Sequence, residues 1–446
     1  MVRALVLGIA AAAIAAMTIA PARAVGKPGV NPVPCASLDW QVGDPTFDAL
    51  PGAKAFFGRY DGGIYKIEIP DTWNGELVLY AHGYVASSGA NGLNLRVGNS
   101  PIREHLVQHG YAWAASSYRC NGYVPGQGLL DTMALTDLFT KANGGRAPER
   151  VYLTGTSMGG HVTLLGMHQS PTSFAGGLAM CPSGPELFDF YAATGGAAEV
   201  ITGVTMTLGN TQQDLAKMAE ILGRPPDYTA KGRQLASVEI EISGGPRPFA
   251  VEGLASGGRF IGNISGAAIA GGTAPADRAV MTTQIKYAID ERLGLSADAL
   301  NARARRKALD PAMRGPAGPY QELMPFDGAI QRPLLTMHGT GDLFVPIFLE
   351  QTLRRAAVSS GKADLLTQRI YRLAGHCGFN QTEMSKSFDD LAGWVHGGAK
   401  PAGDDVLGDL SDAGRAFTNP LRANDPGAPR IAPAPASGDA AFRQEP

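Results

Sequence analysis

The chain has 446 residues, 44% of them apolar and 17% charged, so it is neither a disordered solvating chain nor a charged coiled coil. With 38 basic against 40 acidic residues the net charge is −2, which offers no overall basic footprint for nucleic acid. Its 58 glycines and 31 prolines predict many turns and irregular loops.

Residues 1–24 read as an export signal. Arg3 supplies the charged start, residues 4–20 form an uncharged apolar run, and Ala22-Arg23-Ala24 is a small-x-small cleavage site. The run falls short of the ~20 apolar residues that span a bilayer, and no later segment is long and apolar enough to do so. The mature protein is expected to be secreted or periplasmic, without an integral membrane segment. Its four cysteines, Cys35, Cys120, Cys181 and Cys377, form no C-x-x-C and no Cys/His cluster, which favours disulfides over a zinc site.

From about Asp61 the sequence alternates strand-like and helix-like runs. Strands are expected over 76–81, 111–117, 150–154 and 175–180, and helices over 102–109, 129–142 and 158–168. After Pro182 the rhythm breaks for about 150 residues, with helical stretches such as 212–222 and 278–293 among Gly/Pro-rich loops. It resumes with strands over 333–337 and 368–373 and helices over 347–358 and 382–395. Such alternation implies crossover connections and a mostly parallel sheet. From about Gly397 the composition turns to Pro, Gly, Ala and Asp, and a poorly ordered tail is expected. The expected divisions are a signal (1–24), the first part of an α/β core (25–183), a mainly helical cap insertion (184–331), the second part of the core (332–397) and a tail (398–446).

Gly155-Thr156-Ser157-Met158-Gly159 lies between a predicted strand and a predicted helix, the context in which a G-x-S-x-G serine stands exposed on a sharp turn. A serine hydroxyl needs a positioned base to take its proton. His105 and His109 share a helix face without an H-E-x-x-H motif, His161 points away from Ser157, and His168 and His396 end helices. His376, in Ala374-Gly375-His376-Cys377-Gly378-Phe379, joins the last strand to the last helix, where loops of a parallel sheet meet a site. Asp342, in His338-Gly339-Thr340-Gly341-Asp342, follows a strand and completes the order Ser, Asp, His. The N–H groups of Tyr84, after His82-Gly83, and of Met158 are the expected donors to a developing oxyanion. With Cys181 ending the strand beside that of Ser157 and Cys377 following His376, the pairings expected are Cys181 with Cys377 and Cys35 with Cys120.

Together these residues resemble the α/β-hydrolase superfamily, and 338–342 with Val345-Pro346 are most similar to the catalytic domains of prolyl-oligopeptidase-type peptidases and related esterases. The resemblance covers about 75–182 and 332–395. It implies the α/β-hydrolase fold, with Ser157 as nucleophile, His376 as base, Asp342 as its orienter, and Tyr84 and Met158 as oxyanion donors. Two departures limit it: only about 50 residues separate the expected mature start from the first core strand, so no propeller is expected there, and the insertion is not assigned to a known lid.

The expected activity is that of a secreted serine hydrolase cleaving a carboxylic ester through an acyl-enzyme. The alternatives are a peptidase or amidase, or an extracellular polymer depolymerase, using the same triad. The substrate is then a small-molecule or oligomeric ester or amide. No nucleotide, flavin or metal motif appears, so neither cofactor nor metal is expected. Phe188 and Phe190, just past one strand end, and Tyr320 and Phe326, just before the return to the core, are expected to line an acyl pocket. Cleavage after Ala24 predicts that N-terminal sequencing of the exported protein begins at Val25; a processed protein starting elsewhere would rule out that cleavage site.

Overall fold

Strands β1 (Ala53–Tyr60), β2 (Gly63–Pro70), β3 (Glu76–Ala81), β4 (Ala112–Ser116), β5 (Arg150–Thr156), β6 (Gly176–Met180), β7 (Leu334–Gly341) and β8 (Leu366–Ala374) form one sheet in the order β8-β7-β6-β5-β3-β4-β2-β1. The computed structural model describes residues 35–43, 46–89, 92–207, 209–266, 277–315 and 318–418. The expected signal and residues 419–446 of the expected tail lie outside them. Strands β3 to β8 pair in parallel, while β1 and β2 pair antiparallel with their neighbours. This is the α/β-hydrolase arrangement that the sequence motifs imply.

Alternation along the central strands feeds two cores. Leu77, Leu79, Ala112, Ala114 and Leu153 face helices α2 (Pro125–Ala142), α3 (Met158–Gln169) and α11 (Phe348–Ser359). Val78, Tyr80, Trp113, Ala115 and Tyr152 face α1 (Arg103–Gln108) and α12 (Gln381–Val395). Because both faces are covered, the strands read as continuous apolar runs rather than alternating ones. No helix among the described residues is long and apolar enough to cross a membrane.

Between β6 and β7 the insertion contributes α4 (Leu187–Thr202), α5 (Thr211–Leu222), α6 (Ala230–Ile242), α7 (Ala250–Ala255), α8 (Arg259–Ser265), α9 (Ala297–Arg303) and α10 (Pro311–Arg314). It has its own core, including Ile201, Leu215, Met218, Leu235, Phe260 and Tyr287. The helix expected over 278–293 does not form. Only 3-10 turns at Asp277–Ala279 and Glu291–Leu293 appear there. The backbone donors are taken by other segments: Met281 N–H by Asp189 (2.7 Å), Thr282 N–H by Lys307 O (2.9 Å) and Tyr287 N–H by Asn301 (3.0 Å). β-branched residues at 280, 282, 283, 285 and 289 weaken the competing helix.

Two further features depart from the sequence reading. The β1–β2 hairpin turns on Asp61 (φ 35°) and Gly62 (φ 87°), the positive-φ pair that a two-residue primed turn requires. Residues 398–418, expected to begin a poorly ordered tail, pack along β8. Asp404 accepts from Ile370 N–H (2.8 Å), Thr418 Oγ1 accepts from Arg372 N–H (2.7 Å), and Val406, Leu410 and Ala413 bury against Ile347 and Ile370. An edge strand with unpaired N–H groups is a liability, and this segment covers it.

Glu68 of β2 shows how the hairpin is secured. It is fully buried and accepts from Arg103 (2.7 and 2.8 Å), Trp113 Nε1 (2.6 Å) and Leu50 N–H (2.6 Å). Burial by itself would raise its pKa, but these donors outweigh it and hold the carboxyl below the usual range. A depressed folded pKa contributes stability above the unfolded value, and that stability is lost as pH falls through the folded one. Glu68→Gln is therefore expected to lose about 1.5–3 kcal/mol near neutral pH. In thermal melts the difference from wild type should shrink below about pH 4; a difference constant with pH would contradict it.

Candidate active site

Five loops gather at the carboxyl edge of the parallel strands: those after β3 (residues 82–84), β5 (Ser157), β6 (Cys181), β7 (Asp342) and β8 (His376). Ser157 sits at φ 58°, ψ −119°, a sparsely populated conformation for a residue with a side chain. Its surroundings impose it. A Cβ on Gly155 would lie 2.0 Å from Gly159 O, and one on Gly159 would lie 1.9 Å from Ala81 O, so glycine is obligatory on both sides of the turn. The Ser157 N–H donates to Met180 O (2.9 Å), and its carbonyl accepts from the N–H groups of His161 (3.1 Å) and Ser183 (3.1 Å). The side chain is left half-buried at the sheet edge.

The structure brings the three expected residues together. Ser157 Oγ donates to His376 Nε2 (2.8 Å), and His376 Nδ1 donates to Asp342 Oδ2 (2.6 Å). Asp342 only accepts, which fixes the proton on Nδ1 and leaves Nε2 as the acceptor facing the serine. The carboxylate is fully buried, and its other oxygen accepts from the N–H groups of Phe344 (3.1 Å) and Val345 (2.9 Å). His338, buried behind it, donates from Nε2 to Val345 O (2.8 Å) and so fastens the same loop. The loop bearing His376 ends at α12, whose start is a reciprocal capping box between Asn380 and Glu383.

The disulfides are Cys181–Cys377 and Cys35–Cys120, the pairing expected. The first ties the end of β6 to the residue after His376, with Cα atoms 5.4 Å apart. Cys377 Sγ lies 3.3 Å from His376 Nε2, and as a disulfide sulfur it has no proton with which to compete for that nitrogen. The ligand atoms of Cys181, His376 and Cys377 lie within 4.8 Å of one another, but the sulfurs are bonded together and leave a single imidazole.

At the expected oxyanion donors, Gly83 abuts the serine: a Cβ there would lie 3.3 Å from Ser157 Cβ and 3.9 Å from Oγ. This brings the backbone leading to Tyr84 against the Ser157 turn. The loop is held by His82, which stacks on Tyr118 (3.9 Å) and donates from Nδ1 to Gly83 O (2.6 Å). Met158 opens α3, where the first N–H groups have no partner within the helix.

The expected pocket residues are distributed differently. Phe326 stacks on His168 (4.6 Å) near the far end of α3 and meets His161 edge-on, so it joins the returning chain to the back of that helix. Phe190 is buried between Tyr191 and Phe348. Phe188 packs on Tyr123 (5.0 Å) and Tyr191, and Tyr320 lies half-buried on the same core. Large aromatic rings beside a sheet lose more water-exposed area by packing than by lining an open pocket, and sequence clustering does not separate the two outcomes.

Sequence reasoning missed the residues of the insertion that hold the acid loop. Arg247 is fully buried and donates to Thr340 O (2.6 Å), Gly245 O (2.7 Å) and Ser243 Oγ (3.1 Å); burial lowers its pKa to about 10, partly opposed by the charge of Asp342. Asn263 donates to Leu343 O (3.0 Å), and Tyr191 donates to Phe344 O (2.6 Å). Gly253 permits α7 to rest on the loop, because a Cβ there would lie 2.1 Å from Gly341 O. No local pattern distinguishes these residues from ordinary cap residues, since their partners are about 80–150 positions away.

No protein-family model matches this chain, nor does any curated protein sequence. Among solved structures it is similar to an esterase from Pyrococcus furiosus (14% identity, TM-score 0.40, 80% of this chain and 97% of the other). It is also similar to feruloyl esterase B from Aspergillus oryzae (13%, 0.42, 79% and 81%) and to acylaminoacyl peptidase from Pyrococcus horikoshii (12%, 0.38, 80% and 44%). The chain spans less than half the length of that peptidase. All three likenesses are distant, and what the site can do follows from its own geometry.

The disulfide beside His376 predicts a coupled loss of stability and rate. Cys181→Ala with Cys377→Ala should lower stability by about 2–4 kcal/mol in denaturant melts, as expected for a bond closing a long loop. The kcat of any reaction that uses Ser157 should fall at least about tenfold as the imidazole loses its fixed position; an unchanged kcat would show that the His376 loop needs no brace.

Proposed function

We propose that this protein is an exported serine hydrolase that cleaves a carboxylic ester through an acyl-enzyme. The observation that carries the reading is the continuous hydrogen-bond chain from Ser157 through His376 to Asp342. The serine stands on a strained turn at the sheet edge. Two disulfides, which persist in oxidising compartments, support export.

In this reading His376 Nε2 takes the hydroxyl proton as Ser157 Oγ attacks the carbonyl carbon. The Met158 and Tyr84 N–H groups receive the oxyanion of the tetrahedral intermediate, a stabilisation worth about 10²–10³-fold per donor in rate. Asp342 stays ionised, holds the imidazole in the reactive tautomer and stabilises the imidazolium. The proton on Nε2 then passes to the departing alkoxide as the acyl-enzyme forms. Water repeats the sequence, giving its proton to His376 and releasing the acid and free Ser157.

A fluorophosphonate probe is expected to label Ser157 alone, as read by peptide mapping. Ser157→Ala and His376→Ala should each lower kcat for an aryl acetate by about 10⁴-fold or more, and the double variant little further, because the residues act as a unit. Asp342→Asn should be similarly severe through the wrong tautomer. Full activity in Ser157→Ala would sink the assignment.

A further inference from the structure

Arg259 opens α8, and its guanidinium lies 4.1 Å from the centroid of the Phe344 ring. Phe344 in turn meets the imidazole of His376 edge-on at 5.1 Å. Arg259 is half-exposed and makes no hydrogen bond or ion pair among the described residues. That sets it apart from the other arginines set into the fold. Arg103 and Arg119 pair with Glu68 and Asp131, Arg314 with Asp189, and Arg247 with backbone carbonyls. The groups around it are already committed. Asp342 already accepts from two backbone N–H groups and His376, and the Tyr191 hydroxyl donates to Phe344 O.

Stacking occupies only the face of a guanidinium and leaves its five N–H donors, which lie in the plane, available to a carboxylate. Their location decides which part of the substrate they meet. His376 must deliver its proton to the departing oxygen, so the alcohol portion of an ester lies on the imidazole's side of the nucleophile. Arg259 is reached from that imidazole across one aromatic ring.

We infer that Arg259 binds a carboxylate carried by the leaving alcohol of the substrate, with Phe344 as the apolar floor beneath that alcohol. The inference rests on the serine-hydrolase reading and adds the substrate class: esters whose alcohol portion is an anionic hydroxy acid. A charge-assisted, two-pronged contact at a half-exposed site corresponds to about a tenfold preference or more.

The test compares 4-carboxyphenyl acetate with 4-carbamoylphenyl acetate, which share an acyl group and a shape and differ in charge. The wild-type kcat/KM ratio should favour the carboxylate about tenfold, mainly through KM, and should fall as salt is added. Arg259→Gln should bring the ratio close to one, and Arg259→Lys should restore part of it. A wild-type ratio of one, or a ratio untouched by Arg259→Gln, overturns the inference, since an arginine that merely props Phe344 would affect both esters alike. An Arg259-dependent preference for 4-nitrophenyl hemisuccinate over the butyrate, without one for the carboxyphenyl ester, overturns the placement on the alcohol side. If neither acetate shows Ser157-dependent turnover, the hydrolase reading fails by itself. Binding of 4-hydroxybenzoate to the Ser157→Ala protein, by calorimetry, then decides: at least tenfold weakening by Arg259→Gln upholds the carboxylate site, and an equal Kd overturns it.

Discussion

The close approach of α3 to the ends of β3 and β5 is the constraint on which the site depends. Gly159 passes so near Ala81 O, and Gly155 so near Gly159 O, that neither position tolerates a side chain. The turn between them is thereby forced into a backbone conformation that Ser157 would not adopt alone. The strain presents the hydroxyl at the edge of the sheet. The same contact sets the first turn of α3, with its unpaired N–H groups, beside the loop after β3. The exposed Ser157 hydroxyl and the backbone expected to supply oxyanion donors are in this sense placed by one packing event.

The opposite half of the site is held by accumulation of modest contacts. Asp342 is anchored through both oxygens, the base loop is closed by a disulfide on one side and a capping box on the other, and His338 secures the turn from below. The insertion adds a third support. Arg247, Asn263 and Tyr191 each take a backbone carbonyl of residues 340–344. Burying Arg247 without a carboxylate partner is unfavourable, and its retention is understandable where three acceptors and the field of Asp342 meet it. The insertion is therefore built into the geometry of the acid as well as packed beside the site.

This double attachment accounts for where two of the aromatic residues chosen from sequence are packed. Phe190 and Phe326 lie on the buried seams between insertion and core. Arg259 and Tyr191 of the insertion reach Phe344, which itself meets the His376 ring. Phe344 lies two residues past Asp342, in the loop that follows β7.

The sequence alone determined what short-range periodicity and chain order encode. The strands around Val78, Leu153 and Ala179, the helix behind Ser157, and the order Ser157, Asp342, His376 were legible because short apolar runs, glycine spacing and motif context act within about ten residues. The hairpin at Asp61-Gly62 was equally local and went unread. The tertiary structure decided everything that depended on partners far along the chain. Residues 278–293 carry a helix-like pattern, yet their N–H groups find Asp189, Lys307 and Asn301 instead of their own carbonyls. Residues 398–418 have no periodicity, yet the exposed edge of β8 supplies the hydrogen bonds and apolar contacts that order them. Arg247 and Arg259 look alike in sequence; one is buried beneath the acid loop and the other is stacked in the open beside the base, because only the folded chain determines which acceptors each guanidinium can reach.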